Sequence, residues 1–425
     1  MLIPVFSVYA NQLTSATPTL IGIALGSYGL SQALLQMPFG MLSDRFGRKP
    51  IITLGLIFFV GGSVLGAFTT SIYGMIFART LQGMGAIGSV LIALMADLTP
   101  DTQRTKAMAV IGMTIGISFS IAMVLSPAIT HRYGLPGIFV LTAIFATLGL
   151  LMLHLVIPTP VKEPFHIDSE ANPALIKPVL KNPHLQRLNV GIFCQHVILT
   201  ATFFAIPILL QQQMAEGHLS QQWHFYLPLM VGSFVLMIPF LIFSEKKQKM
   251  KPVFIGSVLI TCLCQLALAF TTTSWYAILI LMFVYFVVFN ILEASLPSLI
   301  SKQASADTKG TAMGIYSSSQ FLGIFIGGSC AGVIYQLASN QGIFLFNSAI
   351  ALIWLSFAFY LKPNAYQTTL ILHYDNTQST SDILNHQLKQ IPGVLDVVIS
   401  EEESTVYLRI NKANYQKGSA EKVFS

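Results

Sequence analysis

A chain of 425 residues that is 54% hydrophobic and only 9% charged, with a mean hydropathy of +0.68, is not an ordinary soluble protein, whose charged fraction is roughly 25%. The formal net charge of +6 does not mark a nucleic-acid binder, because the bases stand singly in short loops between apolar runs. The four cysteines (Cys194, Cys262, Cys264, Cys330) lie inside those runs, so neither a disulfide framework nor a metal site is indicated. No cofactor is implied. The absence of a nucleophile–base pair or phosphate loop argues against an enzyme.

In chain order, twelve apolar segments read as membrane spans: about 1–13, 18–42, 50–69, 72–97, 105–130, 135–157, 188–212, 223–244, 252–271, 275–300, 310–336 and 341–361. The loops alternate in charge. Sixteen Lys and Arg residues fall on one side, in the stretches 45–49, 104–106, 162–187, 246–251, 302–309 and at 362, whereas Arg132 stands alone on the other. By the positive-inside rule the basic side and both termini face the cytoplasm. The first segment is too short to cross a ~30 Å core at 1.5 Å per residue. Alignment of Pro4 with Pro207 in span seven predicts roughly 15 further residues upstream of it.

The two halves repeat. "PFGMLSDR" (38–45) is echoed 201 residues later by "PFLIFSEK" (239–246), and "RTKAMAVIG" (104–112) by "KGTAMGIYS" (309–317). Two six-helix halves in the same order are parallel repeats about an axis along the membrane normal, an architecture of secondary transporters. The division expected is 1–157 for the first bundle, 158–187 for a cytoplasmic linker, and 188–361 for the second bundle. Residues 366–425 form a soluble unit. There "TTLILHY", "LDVVIS" and "TVYLRIN" alternate as strands, and "TSDILNHQLKQI", capped by Thr380 or Ser381, is an amphipathic helix. The order predicts a ferredoxin-like α+β unit without a clear last strand. Its acidic "SEEES" turn reads as a solvated hairpin, and self-association through 366–425 stays open.

Charge in the oily part is concentrated in "GMLSDRFGRK" (40–49). Gly40 suits close helix approach and Gly47 a tight turn into span three. Arg45 and Lys49 fit a loop that sets topology. Asp44 adds nothing to topology, but a carboxylate there suits the positive N-terminal end of another helix. Arg48 has Asp97 as its candidate partner. Two charges lie deeper, Arg79 in span four and Glu293 in span ten. Charge at such depth costs several kcal/mol and marks a cavity or ion path. A carboxyl group held away from water suits uptake and release of a proton, so Arg79 and Glu293 are the candidates for proton coupling. Gln36, Gln82, His196, Asn290 and Gln320 are polar mid-span groups that suit a substrate pathway.

The loop between spans two and three resembles the signature of the major facilitator superfamily, with Gly40, Asp44, Arg45, Gly47, Arg48 and Lys49 in place. "RTLQGMG" (79–85) is similar to that family's span-four signature. Span five keeps Gly112, Gly116 and Pro127 of its antiporter motif, with Ser126 where a glycine is usual. With its C-terminal unit the whole chain resembles the YajR-type drug–proton antiporters. The resemblance implies a multi-pass protein of the bacterial inner membrane that exchanges protons for amphipathic small molecules. It also implies a latch in which Asp44 faces the start of span eleven and Arg48 pairs with Asp97. Two other readings stand beside this one: a symporter or facilitator for a polar metabolite, and a non-transporting sensor that signals through the C-terminal unit.

Overall fold

The computed structural model describes residues 2–99, 101–159, 173–247, 249–305, 308–361, 367–373, 381–400, 405–411, 414–416, 418–420 and 422. Lys162, Lys362, the start of the soluble unit at 366, the Thr380 cap and the acidic turn at 401–404 lie outside them. Among the described residues nine helical stretches are long and apolar enough to cross a membrane.

The chain opens with α1 (Phe6–Tyr9) and a 3-10 turn (Ala10–Gln12). The long helices follow: α2 (Pro18–Phe46), α3 (Arg48–Phe68), α4 (Ile72–Gly83), α5 (Gly88–Asp97) and α6 (Asp101–Leu155). After the linker helix α7 (Ile176–Lys181) come α8 (Pro183–Ala215), α9 (Gln222–Lys246), α10 (Met250–Phe270), α11 (Trp275–Gln303) and α12 (Lys309–Phe359). Two of these are double. α6 bends at Gly134 (φ 65°), just before Leu135-Pro136, where the proline ring restricts its predecessor. α12 bends at Ala338 and Ser339. Each therefore holds two of the expected spans, so the nine stretches supply eleven crossings.

Span four departs from expectation. It is not one helix but the pair α4 and α5, interrupted over 84–87. The interruption falls within "GMGAIG". A Cβ at Gly83 would come within 2.4 Å of the Tyr28 carbonyl oxygen, and one at Gly85 within 2.6 Å of the Gly55 carbonyl oxygen. The break is where α4 presses onto the backbones of α2 and α3. The linker helix ends before Pro183, which starts α8 at its first turn, with the Asn182 side chain accepting from the amides of His184 and Leu185.

The halves meet along α2 and α12, backbone to backbone. A Cβ at Gly22 would lie 2.3 Å from the Gly328 carbonyl oxygen, one at Gly26 2.7 Å from that of Phe325, and one at Gly332 2.3 Å from that of Pro18. Such small-residue stripes are how helices gain van der Waals contact where lipid removes the hydrophobic drive. At the end away from the basic loops, Thr19 Oγ1 donates to Gln336 Oε1 at 2.8 Å. A second glycine face of α12, at Gly323 and Gly327, lies on the Phe193 and Val197 carbonyls of α8. Inside the second half, Gln265 donates to Thr202 Oγ1 (3.1 Å) and Asn347 to Gln265 Oε1 (3.0 Å), a buried chain joining α8, α10 and α12. Exposed Phe68, Phe77, Ile115 and Leu155 belong to the lipid-facing belt.

The C-terminal unit is β1 (Gln367–His373), α13 (Ser381–Lys389), β2 (Val394–Ser400) and β3 (Thr405–Asn411). β3 lies between the other two and antiparallel to both. This is the split βαβ arrangement of a ferredoxin-like unit. Leu384 and Leu388 of α13 close its core over Val397, Val406, Leu408 and Ile410.

Candidate functional site

Three polar clusters interrupt the apolar bundle. The first joins α2, α3 and α5 at the basic side. Gly47, with φ 93°, turns α2 into α3 with no intervening loop, a conformation that favours glycine. The turn aims Arg48 back into the bundle, where it is 8% exposed. Its Nε donates to Asp97 Oδ2 at 2.8 Å and its Nη1 to Ser43 Oγ at 2.8 Å and to the Asp44 carboxylate. Arg48 thus forks between two acids on different helices. Lys49 Nζ donates to the Ile157 carbonyl at 2.5 Å, while Arg45 stays exposed over the Phe46 ring. Gly40 is not a tight approach: a Cβ there would meet Ser89 Oγ at an ordinary 3.5 Å. In the second half Ser244 bonds back to Leu241 as Ser43 does to Gly40, so the repeat in sequence is also a repeat in local bonding.

Removing the fork has a calculable consequence. Arg48→Ala leaves the largely shielded Asp97 carboxylate and the more exposed Asp44 side by side without their cation, which costs about 1–3 kcal/mol. The thermal unfolding midpoint of the purified protein is expected to fall by several degrees. Arg48→Lys recovers only part of it, since an ammonium cannot fork between two acids.

The second cluster is built around Arg79 of α4, 7% exposed. Its Nη1 donates to Gln82 Oε1 at 2.8 Å, Gln82 Nε2 donates to Ser63 Oγ of α3 at 2.8 Å, and the guanidinium lies 4.7 Å over the Tyr28 ring. Gln32 donates to the Tyr28 hydroxyl at 3.1 Å. Tyr28 in turn meets Phe321 of α12 edge-on, with centroids 6.3 Å apart. Among the described residues Arg79 has no carboxylate in salt-bridge range, and its buried Nε has no partner. Gln36, 4% exposed, sits toward the basic side of α2, and its backbone carbonyl accepts from Ser89.

The third cluster joins α8, α11 and α12 in the second half. Glu293 Oε2 accepts from Gln195 Nε2 at 2.9 Å and stands 4.0 Å from His196 Nε2. His196 Nδ1 lies 3.2 Å from the Ile192 carbonyl, which can only accept, so Nδ1 carries the hydrogen and Nε2 accepts from Gln320 Nε2 at 2.9 Å. A carboxylate and an imidazole nitrogen thus stand 4.0 Å apart, the nitrogen's lone pair engaged by the Gln320 amide, so a proton reaches His196 only if that amide turns away. Glu293 is part-exposed while His196 is buried. Asn290 stands apart, bonded to Ser233 of α9 at 3.2 Å.

The structure therefore brings together Asp44, Arg48 and Asp97; Arg79 and Gln82; and Glu293, His196 and Gln320. It does not gather the span-five residues. Pro127 is buried, but Gly112 and Gly116 meet nothing within 4 Å among the described residues. Sequence reasoning missed Tyr28, Gln32 and Ser63, which show up only once α2 and α3 are laid against α4. It also missed the Gly22, Gly26, Gly328 and Gly332 stripe, whose four-residue spacing was readable. Among the described residues no three His, Cys, Asp or Glu side chains gather as a metal site.

The sequence matches the family described as the Major Facilitator Superfamily over residues 1–250 and 218–373. It is 42% identical over 413 residues to the inner membrane transport protein YajR of Escherichia coli (strain K12), covering 97% of this chain and 90% of that one. It is 24% identical over 361 residues to the quinolone resistance protein NorA of Staphylococcus aureus (strain N315), covering 81% and 88%. Among solved structures the human organic anion transporter MFSD10 (TETRAN) shares the fold, with a TM-score of 0.59 at 20% identity over 80% of this chain and 84% of that one. YajR and MFSD10 are named as transporters, not as enzymes. With its apolar helical bundle, signature loop and small C-terminal α+β unit, the chain belongs to the major facilitator superfamily.

Proposed function

We propose that the protein is a proton-coupled exporter of the bacterial inner membrane that moves amphipathic, cationic or neutral small molecules by alternating access, with both termini in the cytoplasm. The observation that carries this reading is the Glu293–His196 pair, held by Gln195 and Gln320 across three helices. Glu293 is the acid in the interior of the described spans. An intramembrane carboxylate 4.0 Å from an imidazole nitrogen is suited to bind a proton from one side and release it to the other. The likeness to a quinolone resistance protein supports an amphipathic cargo.

Each other cluster has a role in the cycle. The Arg48 fork with Asp44 and Asp97 is a latch on the cytoplasmic side, oriented by Gly47 and flanked by Arg45 and Lys49. Its bonds differ between the two states, as a two-state element requires. Arg79, with Gln82, senses the proton or the cargo in the first half. Gln36, Asn290 and Gln320 line the path, and Gly112, Gly116 and Pro127 form the flexible arm of span five.

The reading is tested in cells of an efflux-deficient bacterium loaded with a fluorescent lipophilic cation. Cells making the protein are expected to lose the dye faster than control cells, and a protonophore to abolish the difference. Equal rates in both, with the protein folded in the membrane, would refute export of this class.

A further inference from the structure

β3 has two faces. Val406, Leu408 and Ile410 point into the small core with α13. Thr405, Tyr407 and Arg409 alternate to the other face, which a sheet covered by a single helix leaves open. Yet Thr405 is 2% and Tyr407 3% exposed, and Tyr407 is not part of the small core. Something else covers that face.

Arg409 identifies it. Its Nη2 donates to the backbone carbonyls of Lys302 and Gln303, each at 2.9 Å. These belong to the last turn of α11, whose final carbonyls have no partner within the helix. A cation there also meets the negative end of the helix dipole. Gln303 and Ala304 are themselves buried, and β1 packs against α11 beside them. Asp396 of β2 stands across from Arg409 in the register. Burial pulls the guanidinium below the ordinary arginine range, with Asp396 opposing.

The domain follows directly on α12, which ends at Phe359, and docks on the end of α11. It therefore straps together the basic-side ends of two transport helices, one of which carries Glu293. We propose that the C-terminal unit is a regulatory brake, docked on the bundle by the open face of its sheet with Arg409 as the clamp, and that undocking frees α11 and speeds transport. The docking stands on the contacts alone. The effect on rate rests on the transporter reading above.

The test uses the full-length protein in proteoliposomes. Hydroxyl-radical labelling read by mass spectrometry reports exposure of Tyr407, with Tyr415, which packs on the small core, as the folding control. In Arg409→Ala, Tyr407 labelling is expected to rise at least about threefold as the docked face opens, with Tyr415 unchanged and proton-driven dye flux raised at least about twofold. Arg409→Lys, which keeps the charge but not the planar guanidinium, is expected to fall between. If Tyr415 rises too, the domain has unfolded and Arg409→Gln carries the same comparison. Unchanged Tyr407 labelling overturns the clamp. Raised labelling with unchanged or reduced flux overturns the brake. If wild type moves no dye, the transporter reading fails, while the labelling still reports whether Arg409 holds the domain in place.

Discussion

Glu293→Gln is expected to abolish gradient-driven transport while leaving the protein folded. The amide has the shape of the carboxylate and can still engage Gln195, which lies 2.9 Å away, so the contact between α8 and α11 persists. What is lost is the ability to alternate between charged and neutral forms. Without it, the energy of the proton gradient has no route into the conformational cycle. Flux of a fluorescent cation against its gradient should fall by two orders of magnitude or to background, whereas exchange of labelled for unlabelled cargo, which needs no proton, should continue. Glu293→Asp keeps the charge but draws it back from His196, beyond the present 4.0 Å, and should retain partial coupling. His196→Gln separates the two members of the pair: if the imidazole is the second station, coupling falls while cargo exchange stays. Undiminished uphill flux in Glu293→Gln would remove this residue from the mechanism.

Gly328→Leu is expected to be as damaging for a different reason. A Cβ at Gly328 would lie 2.9 Å from the Gly22 carbonyl oxygen and 3.1 Å from the Gly26 amide nitrogen. These are backbone atoms, and neither can yield without moving a helix. Overpacking of this kind typically costs 1–3 kcal/mol or more, here charged entirely to the state in which α2 and α12 touch. The substitution should hold the halves apart at the end where Thr19 meets Gln336, and lower transport about tenfold or more. A short bifunctional thiol reagent reads the separation directly. In an otherwise cysteine-free chain, Thr19→Cys and Gln336→Cys should cross-link, and adding Gly328→Leu should suppress the link. Cross-linking at the original rate would mean that the contact is not the closure point between the halves.

Much of the architecture is legible from local chemistry. Apolar runs between basic loops mark the spans, because a helix without water must satisfy its own backbone. Gly47 announces its turn because few other residues adopt φ 93°. The four elements of the C-terminal unit follow from alternation and amphipathicity, and their antiparallel pairing around β3 follows from that order. What escapes the sequence is what depends on which helices become neighbours. The break between α4 and α5 falls where the carbonyls of Tyr28 and Gly55 approach Gly83 and Gly85, and neither lies nearby in the chain. Gly40 draws attention by its place in the signature loop, yet the closest backbone contacts are at Gly22, Gly332 and Gly83. Glu293 was visible as a charge at depth, but its partner Gln195 is 98 positions away. Arg409 gave no signal at all, because a lone base on a strand reads as a solvated side chain until the end of α11 is found against it.

Proton antiport itself is tested most directly by counting protons as cargo moves. Purified protein in liposomes enclosing a pH-sensitive dye, held at an imposed pH difference with membrane potential clamped, is given a lipophilic cation on one side. The account predicts that cargo entry drives proton exit from the lumen, that the response saturates with cargo, and that Glu293→Gln eliminates it. Cargo movement with no accompanying proton movement in the wild type would contradict it.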